Sequence, residues 1–297
     1  MNRERTFVAF GILTRLACIL LAATSALLTR SAIAQCQPHW LPGGPVPGID
    51  SDVWSSCQWD PDGPGPLSSV LILAGNFHVA GTTPVSNIVS WSGSAFSPLG
   101  SGLNGPVYAL AVYNGQLIAG GSFSMAGGNA ASNIARWDGS NWAPLGAGVT
   151  GGGTGLLSAP VCALTVYNGR LIAGGNLTSA GAIPAQSIAS WDGTTWATLG
   201  TGVDGGVPVW GLGVYGGELI AGGYFSSVSG IPASGVARWN GSVWQPIGSG
   251  LGGGFAYALS MAQFGNDLIV GGSFASAGGV AVQNVARWNG TDWQSLS

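Results

Sequence analysis

The chain has no lysine and two histidines, His39 and His78, and only 6% of its 297 residues are charged. With residues 1–34 set aside as a leader, four arginines (Arg136, Arg170, Arg238 and Arg287) stand against ten carboxylates, a net charge of −6. No basic stripe exists to displace counterions from phosphates, which excludes nucleic-acid binding. The same shortage removes polybasic attraction to anionic membranes. Few groups are left for acid–base chemistry, and no phosphate loop, zinc-ligand spacing or Ser-His-Asp set is present. Sustained helical periodicity is missing as well, which turns attention to strands.

The leader is read from Arg3 and Arg5, the apolar run from Leu16 to Leu28, and Ala32-Ile33-Ala34 before Gln35. This pattern is that of a cleaved secretory signal. An uncleaved anchor over residues 6–28 is the alternative, weakened by Arg15 within that span. An exported chain places Cys36 and Cys57 as a disulfide pair stapling the N-terminal segment, with Cys162 left over as a small core residue. Cys162 stands where other copies of the repeat described next have Tyr108 and Tyr257.

What fills the remainder is a repeat. Trp91, Trp137, Trp191, Trp239 and Trp288 recur at spacings of 46, 54, 48 and 49 residues, the period of a propeller blade. In the copy from Val107 to Val149, VYALAV is apolar and β-prone, Asn114-Gly115 is a hairpin signal, and LIAGGSF supplies a second strand. A small-residue loop, NIARW, an Asp138-Gly139 turn and a strand near Trp142 complete the unit. The first turn recurs at Asn168-Gly169, Gly216-Gly217 and Gly265-Asn266; the second recurs at Asp192-Gly193, Asn240-Gly241 and Asn289-Gly290. The expected fold is all-β: a β-propeller of four-stranded antiparallel blades, which leaves few exposed edges. The units fall at Val53 to Leu103, Val107 to Val149, Val161 to Val203, Val209 to Leu251 and Ala256 to Leu296. Five blades follow, with six or an open ring as alternatives, because residues 35–52 carry a spare echo of a fourth strand at His39-Trp40-Leu41-Pro42-Gly43.

The glycine pairs Gly120-Gly121, Gly174-Gly175, Gly222-Gly223 and Gly271-Gly272, followed by an aromatic-Asp turn and a tryptophan, resemble the kelch repeat found in galactose-oxidase-like propellers. Trp-Asp-Gly stands where Tyr-Asp-Pro is usual in that repeat, so residues 53–297 look like a bacterial secreted variant of it. The resemblance implies first strands at the axis, and it implies no single activity. Tight turns then lie on one face. The second-to-third-strand loops and the blade-to-blade connections, including Thr150 to Pro160, lie on the other.

Binding is expected on that long-loop face. His78, Asp204 and Trp210 are the candidate contacts, the tryptophan as a stacking surface for a sugar ring. Copper-radical chemistry lacks its histidine set. Arg136, Arg238 and Arg287 occupy equivalent places in three blades and so suit local pairing better than a carboxylate clamp. Asp60 and Asp62, grouped in sequence with Asp50 and Asp52, are the candidate Ca²⁺ ligands; no other cofactor is expected. The resulting expectation is a secreted, non-catalytic scaffold binding a protein or glycan at the cell surface or in the matrix. The alternative is a carbohydrate-active enzyme with a divergent carboxylate site, Asp204 or Glu218 among its members.

Overall fold

The computed structural model describes residues 48–152 and 158–296. The chain divides into Met1–Gly44 and Pro45–Ser297, and the described residues all belong to the second unit. The leader, Cys36 and the strand echo at His39 to Gly43 lie outside them.

Five four-stranded antiparallel sheets follow one another along the chain, each in sequential order with a small excursion between its second and third strands. They span Asp52–Pro98, Val107–Pro144, Ala163–Thr198, Val209–Pro246 and Tyr257–Gln294, and each is one blade of a β-propeller. The first strands approach one another in succession, and residues from all five line a common central cavity. The hairpin turns behave as their residues dictate. At Asn114-Gly115, Asn168-Gly169 and Gly216-Gly217 both central residues have positive φ. At Asp138-Gly139 only the glycine does, and the Asp138 carboxylate accepts the N–H groups of Ser140 and Asn141 at 2.8 and 2.7 Å.

Strand alternation supplies every blade with two apolar faces. In the second blade Leu117 and Ala119 pack toward the first, whereas Ile118 packs toward the third. In the second, third and fourth blades the first glycine of the pair marks the closest approach. A Cβ on Gly174 would lie 2.7 Å from the Val209 side chain of the next blade, and one on Gly222 would lie 2.6 Å from Met261. Hydrogen bonds cross the same interfaces. The indoles of Trp142, Trp244 and Trp293 donate to Leu99, Leu199 and Ile247 carbonyls of the preceding connection, at 2.8, 2.9 and 3.0 Å. At the end of the first strands, the Trp59 indole donates to the Gly115 carbonyl at 2.9 Å, and the Tyr215 hydroxyl donates to that of Asn266 at 2.9 Å.

The small-residue loops are more ordered than their composition suggests. Each is a two-stranded hairpin, such as Met125–Ala126 with Asn129–Ala130, and it pairs with the incoming connection through Ile49↔Ala80, Leu103↔Ala126, Val149↔Ala180, Val203↔Val228 or Leu251↔Ala277. An asparagine at positive φ ties them together. The buried Asn87 side chain accepts the Phe77 N–H at 3.2 Å and donates to the Leu103 carbonyl at 2.8 Å. Asn133 does the same for Phe123 and Val149, at 3.2 and 2.8 Å.

Asn87→Ala orphans two buried backbone groups, each costing roughly 1–3 kcal/mol; urea unfolding is expected to show a loss of about 3 kcal/mol by that reckoning. In the third blade Ser187 holds this position with its hydroxyl buried and unpartnered among the described residues. Ser187→Asn is expected to raise the melting temperature by supplying the missing bridge.

Candidate functional site

The ladder between first and second strands skips one residue as it leaves the connection. The skipped residue is Trp54 in the first blade, Tyr108 in the second, Trp210 in the fourth and Leu259 in the fifth. Cys162 holds the position in the third, just before Ala163 pairs with Gly174. A bulge kinks the strand and re-aims the side chain. Here Tyr108, Cys162, Trp210 and Leu259 turn into a central cavity of about 170 Å³. Leu259, and not Tyr257, is thus the counterpart of Tyr108; the sequence alignment slips by two residues there because the fifth copy has Ala256-Tyr257-Ala258 where the first, second and fourth have Val-aromatic.

The cavity is uncharged. Burial raises the Tyr108 hydroxyl above its ordinary value, with neighbouring Cys162 adding to it. Burial also pushes the Cys162 thiol up to about 12, while that thiol donates to the Ala159 carbonyl at 3.4 Å. A protonated thiol is a poor nucleophile.

Aromatic rings extend from this mouth across the fourth and fifth blades. Trp54 stacks on Tyr108 at 4.6 Å, and Trp210 meets Tyr257 edge-on at 4.9 Å. Gly223 pairs with Val209, which places Tyr224 at the same end of the sheet as Trp210. Tyr224 faces Phe255 at 5.8 Å, and the two rings are 39% and 76% exposed. Sequence reasoning named Trp210 but missed Tyr224 and Phe255. The available signal was Phe255 itself, a bulky apolar residue after Gly252-Gly253-Gly254 in a connection otherwise built of small ones.

The other expected residues lie apart. Asp204 opens a single helical turn, Asp204–Gly206, in the connection before the fourth blade, and its carboxylate accepts the Gly230 N–H at 2.9 Å. Glu218 follows the tight turn at the far end of the Val209–Tyr215 strand, about 20 Å away at ~3.3 Å per residue. The structure does not bring these carboxylates together across a substrate. His78 is exposed on the first blade, and its backbone N–H donates to the Asp50 carboxylate at 2.9 Å. Asp50 is held below the usual carboxylate range by the Val79 and His78 amides. It is separated from Asp60 and Asp62 by the whole Asp52–Trp59 strand. Asp60 and Asp62 accept backbone N–H groups of their own turn, from Asp62 at 3.3 Å and Leu67 at 3.1 Å. Among the described residues no three His, Cys, Asp or Glu side chains group to hold a metal ion. Cys57 packs against the core between the first two blades, where burial raises its thiol to about 12; its expected partner Cys36 lies outside the described residues.

The arginines pair locally: Arg238 with Glu218 and Arg287 with Asp267, each at 3.3 Å, and Arg136 with Gln116 at 3.5 Å. No helix among the described residues is long and apolar enough to cross a membrane.

Folded-state protonation of Cys162 persists until the pH nears 12, whereas an unfolded thiol ionises near pH 8.5. Its stabilising contribution is full below pH 8.5 and is lost as the pH rises toward 12. Iodoacetamide at pH 8.5 is expected to label Cys162 slowly in the native chain and rapidly in urea, with peptide mass spectrometry as the readout.

A comparison with protein families agrees with this architecture. A family model described as "Domain of unknown function (DUF5122) beta-propeller" matches residues 114–138. No curated protein matches the chain. Among solved structures, the computationally designed Ika8 protein is 14% identical over 82% of this chain and 60% of its own, with a TM-score of 0.44. The alignment thus spans less than two thirds of that designed chain. The WD40 β-propeller domain of Doa1 is 15% identical over 82% of this chain and 94% of its own, with a TM-score of 0.27. The described part of the chain is a β-propeller domain.

Proposed function

We propose that this propeller is an exported, non-catalytic binding scaffold of the kelch type, and that its ligand is an uncharged glycan held on the aromatic patch of the fourth and fifth blades. The observation that carries the reading is the pairing of Trp210 with Tyr257 beside the exposed Tyr224–Phe255 pair. Flat apolar rings stack on the C–H faces of sugars, and their polar edges leave room for hydroxyl partners. Nearby loops offer Ser, Thr and Asn groups and little charge, which suits neutral sugars. The kelch assignment is supported by the glycine pairs, whose first members Gly120, Gly174 and Gly222 sit at the closest approach between blades. The alternative, a carbohydrate-active enzyme with a divergent carboxylate site, gains no support from Asp204 and Glu218 as a pair, because the Val209–Tyr215 strand lies between them.

Calorimetric titration of the full chain with neutral cello-, xylo- and manno-oligosaccharides tests the site. Phe255→Ala is expected to weaken the binding sugar roughly tenfold, about 1.4 kcal/mol, without moving the melting temperature, since the ring is mostly exposed. If none of these sugars binds the wild type, the glycan reading fails and a protein partner takes its place. Export is tested separately. N-terminal sequencing of protein recovered outside the producing cell is expected to start at Gln35, and a start at Met1 would contradict cleavage.

A further inference from the structure

Asparagine stands directly before glycine at Asn104, Asn114, Asn168, Asn240 and Asn289. This dipeptide is chemically labile, because no side chain on the glycine hinders attack by its nitrogen on the asparagine carboxamide. The attack needs a carboxamide that swings back over its own backbone, so the structure decides which asparagines react.

Three of them are pinned. The Asn104 side chain accepts the Ser124 and Met125 N–H groups at 3.0 and 2.8 Å and donates to the Ser124 hydroxyl at 3.0 Å. Asn240 accepts the Ser242 and Val243 N–H groups at 2.9 and 3.0 Å. Asn289 accepts those of Thr291 and Asp292 at 2.9 and 2.8 Å, with the Thr291 hydroxyl as a further donor at 2.9 Å. These bonds have to break before the carboxamide can turn.

Asn114 and Asn168 differ. Both are exposed at positive φ in two-residue turns, and among the described residues neither carboxamide is held by a hydrogen bond. The ladders close at Tyr113↔Gln116 and Tyr167↔Arg170, outside the glycine nitrogens. Space is open around the attacking residue as well. A Cβ on Gly115 or Gly169 would meet nothing within 4 Å, whereas one on Gly105 would lie 2.3 Å from the Ser122 carbonyl.

We propose that Asn114 and Asn168 are sites of spontaneous isoaspartate formation, and that their conversion loosens the second blade from the first and the third blade from the second. The Gly115 nitrogen gives its proton to solvent hydroxide and bonds to the Asn114 side-chain carbonyl carbon. The carboxamide nitrogen leaves as ammonia, and a five-membered imide remains. Water then opens the ring. Cleavage at the side-chain carbonyl leaves aspartate; cleavage at the backbone carbonyl leaves isoaspartate, whose main chain runs through the side-chain carbons. One water is consumed and one ammonia released, with no change of oxidation state.

The two products act differently on the fold. Asp-Gly suits the same turn. Isoaspartate adds one carbon to the main chain of a two-residue loop, where loop length fixes the hairpin register. Both turns also receive a bond from the preceding blade. The Trp59 indole donates to the Gly115 carbonyl at 2.9 Å, and the Tyr113 hydroxyl donates to the Gly169 carbonyl at 3.2 Å. A lengthened turn carries each acceptor away from its donor. The fourth and fifth blades have Gly216-Gly217 and Gly265-Asn266 in this turn and lack the reactive pair.

The full chain, incubated for weeks at mildly alkaline pH, is mapped by mass spectrometry with fragmentation that separates isoaspartate from aspartate. Isoaspartate is expected at positions 114 and 168, with asparagine unconverted at 104, 240 and 289. The melting temperature is expected to fall as isoaspartate accumulates. The double variant Asn114→Gly, Asn168→Gly repeats a turn that the chain already builds at Gly216-Gly217. Its melting temperature is expected to hold through the same incubation. Asparagine retained at 114 and 168 overturns the proposal, as does equal conversion at the three pinned positions. A melting temperature that ignores the conversion, or that falls equally in wild type and double variant, overturns it too.

Discussion

Each sheet has to be covered on both sides at once, and the rest of the structure follows from that constraint. A second strand reading Gln-Leu-Ile-Ala-Gly-Gly sends alternate side chains to opposite neighbours, so no blade buries its apolar residues alone. The hydrogen bonds between blades reinforce the packing because they land on carbonyls of turns and connections that the ladders leave free. Glycine at the closest contact and tryptophan at the periphery are two answers to the same geometry. Blades wedge together at the axis and diverge outward, and the spacing between them sets the size of residue that fits.

Much of this was legible in the sequence because it is repeated. A single Asn-Gly or a lone tryptophan says little, but equivalents at a steady period identify strands, turns and the packing role of the aromatics. The pairing of Arg136, Arg238 and Arg287 with neighbouring polar groups followed from the same logic. Legibility failed where a copy departs from its siblings. The bulge position in the fifth blade was misassigned to Tyr257 because a bulge changes spacing without changing composition. The hairpins at Met125 to Ala130 and its equivalents were read as loops, since two-residue ladders of Ala, Ser and Asn carry no hydrophobic signal. The aromatic patch joins residues from two connections and two strands, and no spacing along the chain reveals it.

The carboxylates illustrate a different failure. Asp50, Asp52, Asp60 and Asp62 look like a cluster in one dimension, yet an intervening extended strand carries them to opposite faces of the domain. Sequence proximity across a strand is separation in space, whereas proximity across a turn is contact. Asp192 shows the second case, its carboxylate accepting the N–H groups of Thr194 and Thr195 at 2.8 and 2.7 Å. Those bonds favour the ionised form and hold its carboxyl well below the usual carboxylate range.

The asparagine that bridges hairpin to connection in the first two blades also determines where the chain can vary in length. In the second blade Asn133 grips the Val149 carbonyl, and Val149 pairs with Ala180, so the chain is fixed at that point before it starts toward the next strand. Residues added after the grip change only the path to the next first strand. The long connection from Thr150 to Pro160 comes after the grip in sequence, and the third blade keeps the same internal register as its neighbours. The scaffold thereby confines growth to one rim, where a new loop gains surface without disturbing a single sheet ladder.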